Sequence, residues 1–290
     1  MIPALNITAW AQTTPWAEPR QVEQDLIIAR ALVELFNDPF LRQELRFRGG
    51  TALNKLHFPT PLRYSEDIDL VWTKPGPIKP ILDRVHAILD PWMGEPEFVR
   101  SPMAPKLKYS VEAEDKTSTV PIRLKVEINT REHEAFDGAL VLPLRVENPW
   151  FTGSAEIPTF SNEELLATKL RALLQRNKGR DLIDLSHAIE IFKKLDADKT
   201  VSLLGRYLAL TGLTISRAQA EQRMFAKLEN ANFLADVRPL LAAEEAEQFD
   251  NAAANAAFTR VFRQFIALIP GAPWARTAAM IERFALTDLA

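Results

Sequence analysis

Apolar residues recur at three- and four-residue steps through Val22, Leu26, Ala29, Leu32, Val33 and Phe36. That spacing predicts an amphipathic helix over 21–36 with one face turned to a core. Asp38-Pro39 predicts the start of a second short helix, with Asp38 as N-cap and Pro39 at the first helical position, where its missing N–H costs nothing. Arg46-Phe47-Arg48 is a brief strand-like run, followed by Gly49-Gly50 and a helix opening at Thr51 and running to His57. Pro59 and Pro61 close that helix, because proline cannot continue a helix interior. The period then changes to two. Ile68, Leu70 and Trp72 fall on one side of a predicted strand over 67–72, and Asp67 and Asp69 on the other.

A helix is predicted over 81–89, and strands over 106–111, 120–129 and 140–146. The middle strand is the clearest, with Ile122, Leu124, Val126 and Ile128 alternating against Arg123, Lys125, Glu127 and Asn129. From Ser161 the character changes. Ser161-Asn162-Glu163-Glu164 has the form of a capping box, and beyond it the chain reads as helix nearly to its end. Strands mixed with helices, then helices alone, predict an α+β (α/β) half over 1–158 and a helical half over 159–290. No internal repeat or low-complexity tract interrupts this pattern.

Composition narrows the function classes. With 47% hydrophobic and 25% charged residues, the chain is an ordinary globular one. A net charge of -3 and a pI of about 5.9 exclude a wholesale nucleic-acid coat, so any contact with RNA needs a local basic patch. The absence of cysteine excludes disulfides, thiolate zinc sites and cysteine nucleophiles. His57, His86, His133 and His187 have no zinc-ligand spacing. No Walker loop, Rossmann fingerprint or Gly-x-Ser-x-Gly elbow occurs. Arg131-Glu132-His133-Glu134 reads as a charged turn, and the six tryptophans as core or interface anchors. Without a signal-like leader or an apolar run near the ~20 residues that span a bilayer, a soluble cytoplasmic protein with no membrane partner is expected.

Candidate chemistry centres on Asp67 and Asp69. Two positions apart on one strand, they share a face about 6–7 Å apart at their roots, and two carboxylates so close ionise at a cost unless a cation lies between them. Magnesium prefers hard oxygen ligands and completes its shell with water and substrate phosphate. Glu127, on the polar face of the clearest strand, is the candidate third ligand. Gly49-Gly50-Thr51 between strand and helix offers a close backbone approach to a phosphate. Arg63 precedes the acidic strand, where a triphosphate would meet it. Ser65 is read either as a phosphate or main-chain contact or as the cap of the turn, and Lys55 as the solvent side of its helix.

The string Phe47-Arg48-Gly49-Gly50-Thr51-Ala52-Leu53-Asn54-Lys55-Leu56, followed by Arg63-Tyr64-Ser65-Glu66-Asp67-Ile68-Asp69-Leu70, resembles the AbiEii/AbiGii family. These are toxin-type nucleotidyltransferases of the DNA polymerase β superfold. A second block extends the resemblance, from Lys169 and Arg171 through Arg176, Lys178, Arg180, Asp181 and Asp184. The five cations of this block carry no acid among them. On composition alone they would be a solvated face.

The resemblance implies a polymerase-β-like mixed sheet with flanking helices, followed by a helical domain that brings its basic block to the active site. Lys169 is implied to contact the nucleotide phosphates, with Arg176, Lys178 and Arg180 as further phosphate or acceptor contacts. Asp184 is assigned to the site and Asp181 to orientation, the alternative being that both simply clamp the arginines by ion pairs. The implied reaction uses Mg2+ (or Mn2+) and an NTP, releases pyrophosphate, and takes an acceptor hydroxyl such as a tRNA 3′ end. Either Glu127 or a metal-bound hydroxide takes the acceptor proton. A toxin with a cognate antitoxin is implied. Transfer to a protein or small-molecule hydroxyl, and a non-catalytic nucleotide- or RNA-binding regulator, remain the alternatives.

Overall fold

The computed structural model describes residues 2–115 and 120–289, and its chain contacts divide it into two compact units, 1–161 and 162–290. In the first unit, α1 (Ala4–Trp10), α2 (Pro19–Asn37) and α3 (Pro39–Glu44) lead into β1 (Leu45–Arg48). The expected cap of α3 is present: Asp38 accepts from the Leu41 amide at 2.9 Å. Next come α4 (Gly49–Ala52), a π-helical turn (Leu53–His57), β2 (Asp67–Trp72) and α5 (Lys79–Met93). The remaining strands are β3 (Glu97–Val99), β4 (Lys106–Val111), β5 (Ile122–Asn129), β6 (Leu140–Asn148) and β7 (Phe151–Thr159).

Five strands form a mixed sheet in the order β1-β2-β5-β4-β3. Only β2 and β5 run parallel; the other neighbours are antiparallel. Ile68, Leu70, Leu124, Val126 and Ile128 are fully buried, as their alternation predicts. Strands β6 and β7 make a separate hairpin that packs on α2 and β1. Helix α2 departs from the amphipathic expectation. Glu23, Gln24 and Asp25 on its polar side are buried too, because β7, α5, β5 and β6 all pack against it. Buried polar groups need partners, and these have them. Gln24 donates to the Arg123 carbonyl at 2.7 Å, and Asp25 accepts from Trp10 Nε1 at 2.9 Å and Lys55 Nζ at 2.8 Å. Lys55 is therefore an interior ion-pair residue rather than the solvent side of its helix.

The second unit holds α6 (Asn162–Gln175), α7 (Gly179–Ile191), α8 (Ala197–Ala209), α9 (Arg217–Leu228), α10 (Ala243–Gln248), α11 (Asn251–Gln264) and α12 (Thr277–Arg283). Its core includes an aromatic cluster in which Phe225 lies 5.6 Å from Phe258 and 5.5 Å from Phe262, centroid to centroid. Glu164, the reciprocal member expected in a capping box, is fully buried and accepts from the Tyr207 hydroxyl at 2.8 Å. Among the described residues no helix is long and apolar enough to cross a membrane.

Gly179 opens α7, and its amide donates to Asp236 Oδ1 at 2.9 Å. A Cβ there would lie 2.7 Å from the Phe233 carbonyl oxygen. Backbone cannot yield as a flexible side chain does. Gly179→Ala is therefore expected to lower stability by about 1–3 kcal/mol, the usual cost of overpacking, measured as a fall in urea midpoint at unchanged m-value.

Candidate active site

The site of the first unit is a row of charges across three strand pairings. Arg48 on β1 pairs with Asp69 on β2, Asp69 with Glu127 on β5, and Glu127 with Lys106 on β4. One step away, Asp67 pairs with Lys125. Cross-strand partners share a face, so the acids Asp67, Asp69 and Glu127 stand on one side of the sheet with Lys125 among them. Lys125 Nζ lies 3.0 Å from Asp67 Oδ2 and 3.1 Å from Glu127 Oε2. Lys106 Nζ approaches Glu127 at 3.4 Å, and Arg48 pairs with Glu132 from the loop after β5.

Burial, and next the neighbouring Asp67 charge, raise the pKa of Asp69. Burial also works against the Lys125 charge, but Asp67, Asp69 and Glu127 outweigh it and hold that pKa above the ordinary lysine value. Lys125 thus serves as an internal counter-ion for a carboxylate group that is short of positive charge. Among the described residues no three carboxylate or histidine side chains already close around a metal-sized point. Glu127 is turned toward its two lysines.

The Gly-Gly pair is explained by close approach. Gly49 has φ of +85°, which L side chains rarely adopt, and a Cβ on it would lie 2.3 Å from Asp69 Oδ2. A Cβ on Gly50 would lie 2.4 Å from an Arg63 guanidinium nitrogen. The two glycines, expected as a turn ahead of the helix, are its first residues, and they make room for the carboxylate and the guanidinium. Arg63 is buried and donates to the Tyr64 carbonyl at 2.9 Å. Thr51 Oγ1 donates to the Asp67 carbonyl and lies 2.7 Å from Ser65 Oγ. A hydroxyl has one proton, so Ser65 is the donor in the second bond. Asn54 ties this segment together, donating to the Gly50 carbonyl at 2.9 Å and accepting from the Leu62 and Arg63 amides at 2.8 and 3.1 Å. Lys125, Lys106, Arg48 and Asn54 are not among the site residues that the sequence pattern predicts. Register alone brings the first three to the acids.

The second unit has its own charge cluster. Lys169 Nζ is buried, 3.3 Å from Asp181 and 2.9 Å from Asp184, and both aspartates are fully buried. Arg176 adds a two-pronged contact to Asp181 at 2.7 and 2.9 Å. Burial opposes the Asp181 charge, yet Lys169 and Arg176 outweigh it and hold its carboxyl below the usual range. Lys178 is exposed, and Arg180 is half-buried with Nε 3.9 Å from Asp236. Lys227, also not among the predicted site residues, donates to the Arg176 carbonyl at 2.7 Å.

Residues 30–255 match the family described as nucleotidyl transferase AbiEii toxin, type IV toxin–antitoxin system. The chain belongs to that family. It is an AbiEii nucleotidyltransferase toxin of a type IV toxin–antitoxin system. Among solved structures it is similar to the nucleotidyltransferase toxin MenT4 of Mycobacterium tuberculosis H37Rv, at 19% identity and a TM-score of 0.66, covering 100% of this chain and 97% of that one. That likeness supports the mixed sheet with flanking helices and the C-terminal helices. A lower similarity is found to JHP933 from Helicobacter pylori, at 17% identity and a TM-score of 0.45, covering 86% of this chain and 96% of that one. None of the curated proteins matches the chain in sequence.

Removing Lys169 from the AbiEii chain takes away the one ammonium that Asp181 and Asp184 share, while Arg176 still meets Asp181. Lys169→Met is expected to cost about 3–5 kcal/mol at neutral pH, as for other broken buried pairs. Asp181, with its folded pKa depressed, stabilises the wild type above the unfolded aspartate value near 4, and that contribution is lost as pH falls through the folded value. In the variant Asp181 has lost the larger of its two cationic partners and protonates more readily. The stability gap, measured by denaturant titration, should therefore be widest near pH 7 and narrow toward pH 4.

Proposed function

We propose that this AbiEii toxin moves a nucleoside monophosphate from an NTP to an RNA acceptor hydroxyl, the 3′ end of a tRNA, and that a divalent metal ion assists. The observation that carries the reading is the shared face of Asp67, Asp69 and Glu127, compensated by Lys125. The donor set fits Mg2+ or Mn2+: three hard carboxylate oxygens on adjacent strands, one with a raised pKa, already drawing in a cation. Asp67, Asp69 and Glu127 would hold the metal, which when bound neutralises charge on the triphosphate and the departing pyrophosphate.

The chain's own groups supply the rest. Glu127 accepts the proton of the acceptor hydroxyl at a carboxylate oxygen, and Lys125, released from Asp67 and Glu127, offers its ammonium to a phosphate. The start of α4 at Gly49-Gly50-Thr51 presents backbone amides toward the triphosphate, with Arg63 and Ser65 holding that segment in shape and lending charge to it. In the second unit Arg176, Lys178 and Arg180 take RNA backbone phosphates. Lys169 and Asp184 set the charge beneath them. The cognate antitoxin limits this activity in a reducing cytoplasm.

The direct test incubates the protein with each α-labelled NTP, Mg2+ and total RNA. Label is expected in RNA and is expected to vanish in Asp67→Ala/Asp69→Ala. Label in protein instead would move the acceptor to a protein hydroxyl, and NTP binding without transfer would leave a regulator on an AbiEii fold.

Lys125→Met gives a second, independent measurement. With its internal counter-ion gone, the metal-free variant should melt lower than wild type at pH 7, and Mg2+ should raise its melting temperature more than it raises that of the wild type. An equal Mg2+ response in the two proteins would remove the metal from these carboxylates.

A further inference from the structure

At the carboxyl ends of β2 and β5 lies a cavity of about 540 Å³, within the size range of small-ligand sites. Three loops shape it: 73–78 after β2, 100–105 between β3 and β4, and 130–133 after β5. Crevices at the carboxyl ends of parallel strands are common ligand sites in mixed and parallel sheets. Trp72 alternates with Ile68 and Leu70, so this cavity is built around the sheet face opposite the carboxylates.

Its lining combines two cations with aromatic walls. Arg100 and Arg131 are both exposed, and among the described residues neither side chain makes a hydrogen bond or ion pair. Among the described residues no acid lines the cavity. Arg30, Arg48, Arg176, Arg217 and Arg260 each meet a carboxylate, whereas among the described residues Arg42, Arg123 and Arg263 do not; Arg100 and Arg131 are notable because two guanidinium groups without a carboxylate share one cavity. Guanidinium groups suit phosphate oxygens through paired N–H donors.

Phe98 on the edge strand β3 is 49% exposed, although it lies in the strand and not in a loop. Trp72 forms a fixed wall, since its Nε1 donates to Glu44 Oε2 at 3.1 Å. His133 is set edge-on to Trp72, with Nδ1 2.9 Å from the Trp72 carbonyl. A carbonyl only accepts, so Nδ1 carries a proton, and in the neutral ring Nε2 is then an acceptor. Among the described residues it has no partner.

We propose that this cavity is a second nucleotide-binding site, independent of the carboxylate row. Phe98 stacks on the base, His133 Nε2 accepts from a base or sugar donor, and Arg100 and Arg131 take the phosphate. Aromatic stacking is sequence-tolerant because every base has a π-face. The same chemistry is offered by a free nucleoside monophosphate and by an unpaired nucleotide of an RNA strand.

The test uses the full chain carrying Asp67→Ala/Asp69→Ala, which disables the carboxylate row and leaves the cavity intact. Failure of the proposed transfer reaction is therefore separate from failure of this site. AMP and a short unpaired RNA are titrated in parallel, with inorganic pyrophosphate as a phosphate-only probe. Arg100→Ala/Arg131→Ala should weaken all three at least tenfold. Phe98→Ala should weaken AMP or RNA and leave pyrophosphate unchanged. All three side chains are exposed, so the variants should fold, as a matching thermal melt would verify.

Cavity-dependent binding of AMP identifies a free-nucleotide site, and binding of RNA alone identifies a strand site; either supports the proposal. If the arginine and Phe98 variants bind AMP and RNA as the parent does, or neither probe binds, the proposal is overturned. Arginine-dependent capture of an acidic peptide with no nucleotide binding would overturn it as well and make the cavity a protein-docking site.

Discussion

Parallel pairing of β2 with β5 puts Asp69 directly beside Glu127, and like charges in that position repel. Much of the surrounding construction answers this one contact. Lys125 bridges from the adjacent register position, Arg48 and Lys106 close the row at its two ends, and Gly49 leaves room for the Asp69 carboxylate. A sheet optimised for stability alone would not place these acids together. Strain of this kind persists at sites where a later partner relieves it.

The two units handle buried carboxylates in opposite ways. Asp181 and Asp184 are saturated by Lys169 and Arg176, and the Asp181 carboxyl is held below its ordinary range. Asp69 is under-compensated, and its carboxyl is pushed up. A saturated cluster organises helices, since bringing another cation there would displace one already in place. An under-compensated cluster has spare capacity for positive charge, and it is this property on which the proposed metal site rests.

Much of this was legible in the sequence because the signals were local. The period-two run fixed β2 from Asp67 to Trp72, and Asp38-Pro39 fixed the start of α3. The family could be recognised from the Gly-Gly and Asp-Ile-Asp strings. What escaped depends on register and packing. Strand β7 carries Gly153 and Pro158 and has few alternating apolar residues, so its pattern is faint. The burial of Glu23, Gln24 and Asp25 follows from neighbours far along the chain, which no helical period reports. Likewise, Lys125 looks like one more polar residue of β5 until β2 lies alongside it. The glycines were noticed for their backbone freedom, but what needs their missing side chains is Asp69 and Arg63.

Asn54 has a consequence for how this part of the chain can vary in length. Its amide group reaches back to Gly50 and forward to Leu62 and Arg63, so it staples both ends of the intervening segment. Residues 58–61 lie inside that staple as a small closed loop. Its closure cost rises only slowly as residues are added. Insertions at its tip should leave the spacing between the glycines and the acidic strand undisturbed in space, whatever it becomes in sequence. Between Gly49 and Asn54, or between Arg63 and Asp67, a single added residue would move one side of the site against the other. Relatives of this chain can therefore differ freely in the length of one short loop and scarcely at all on either side of it.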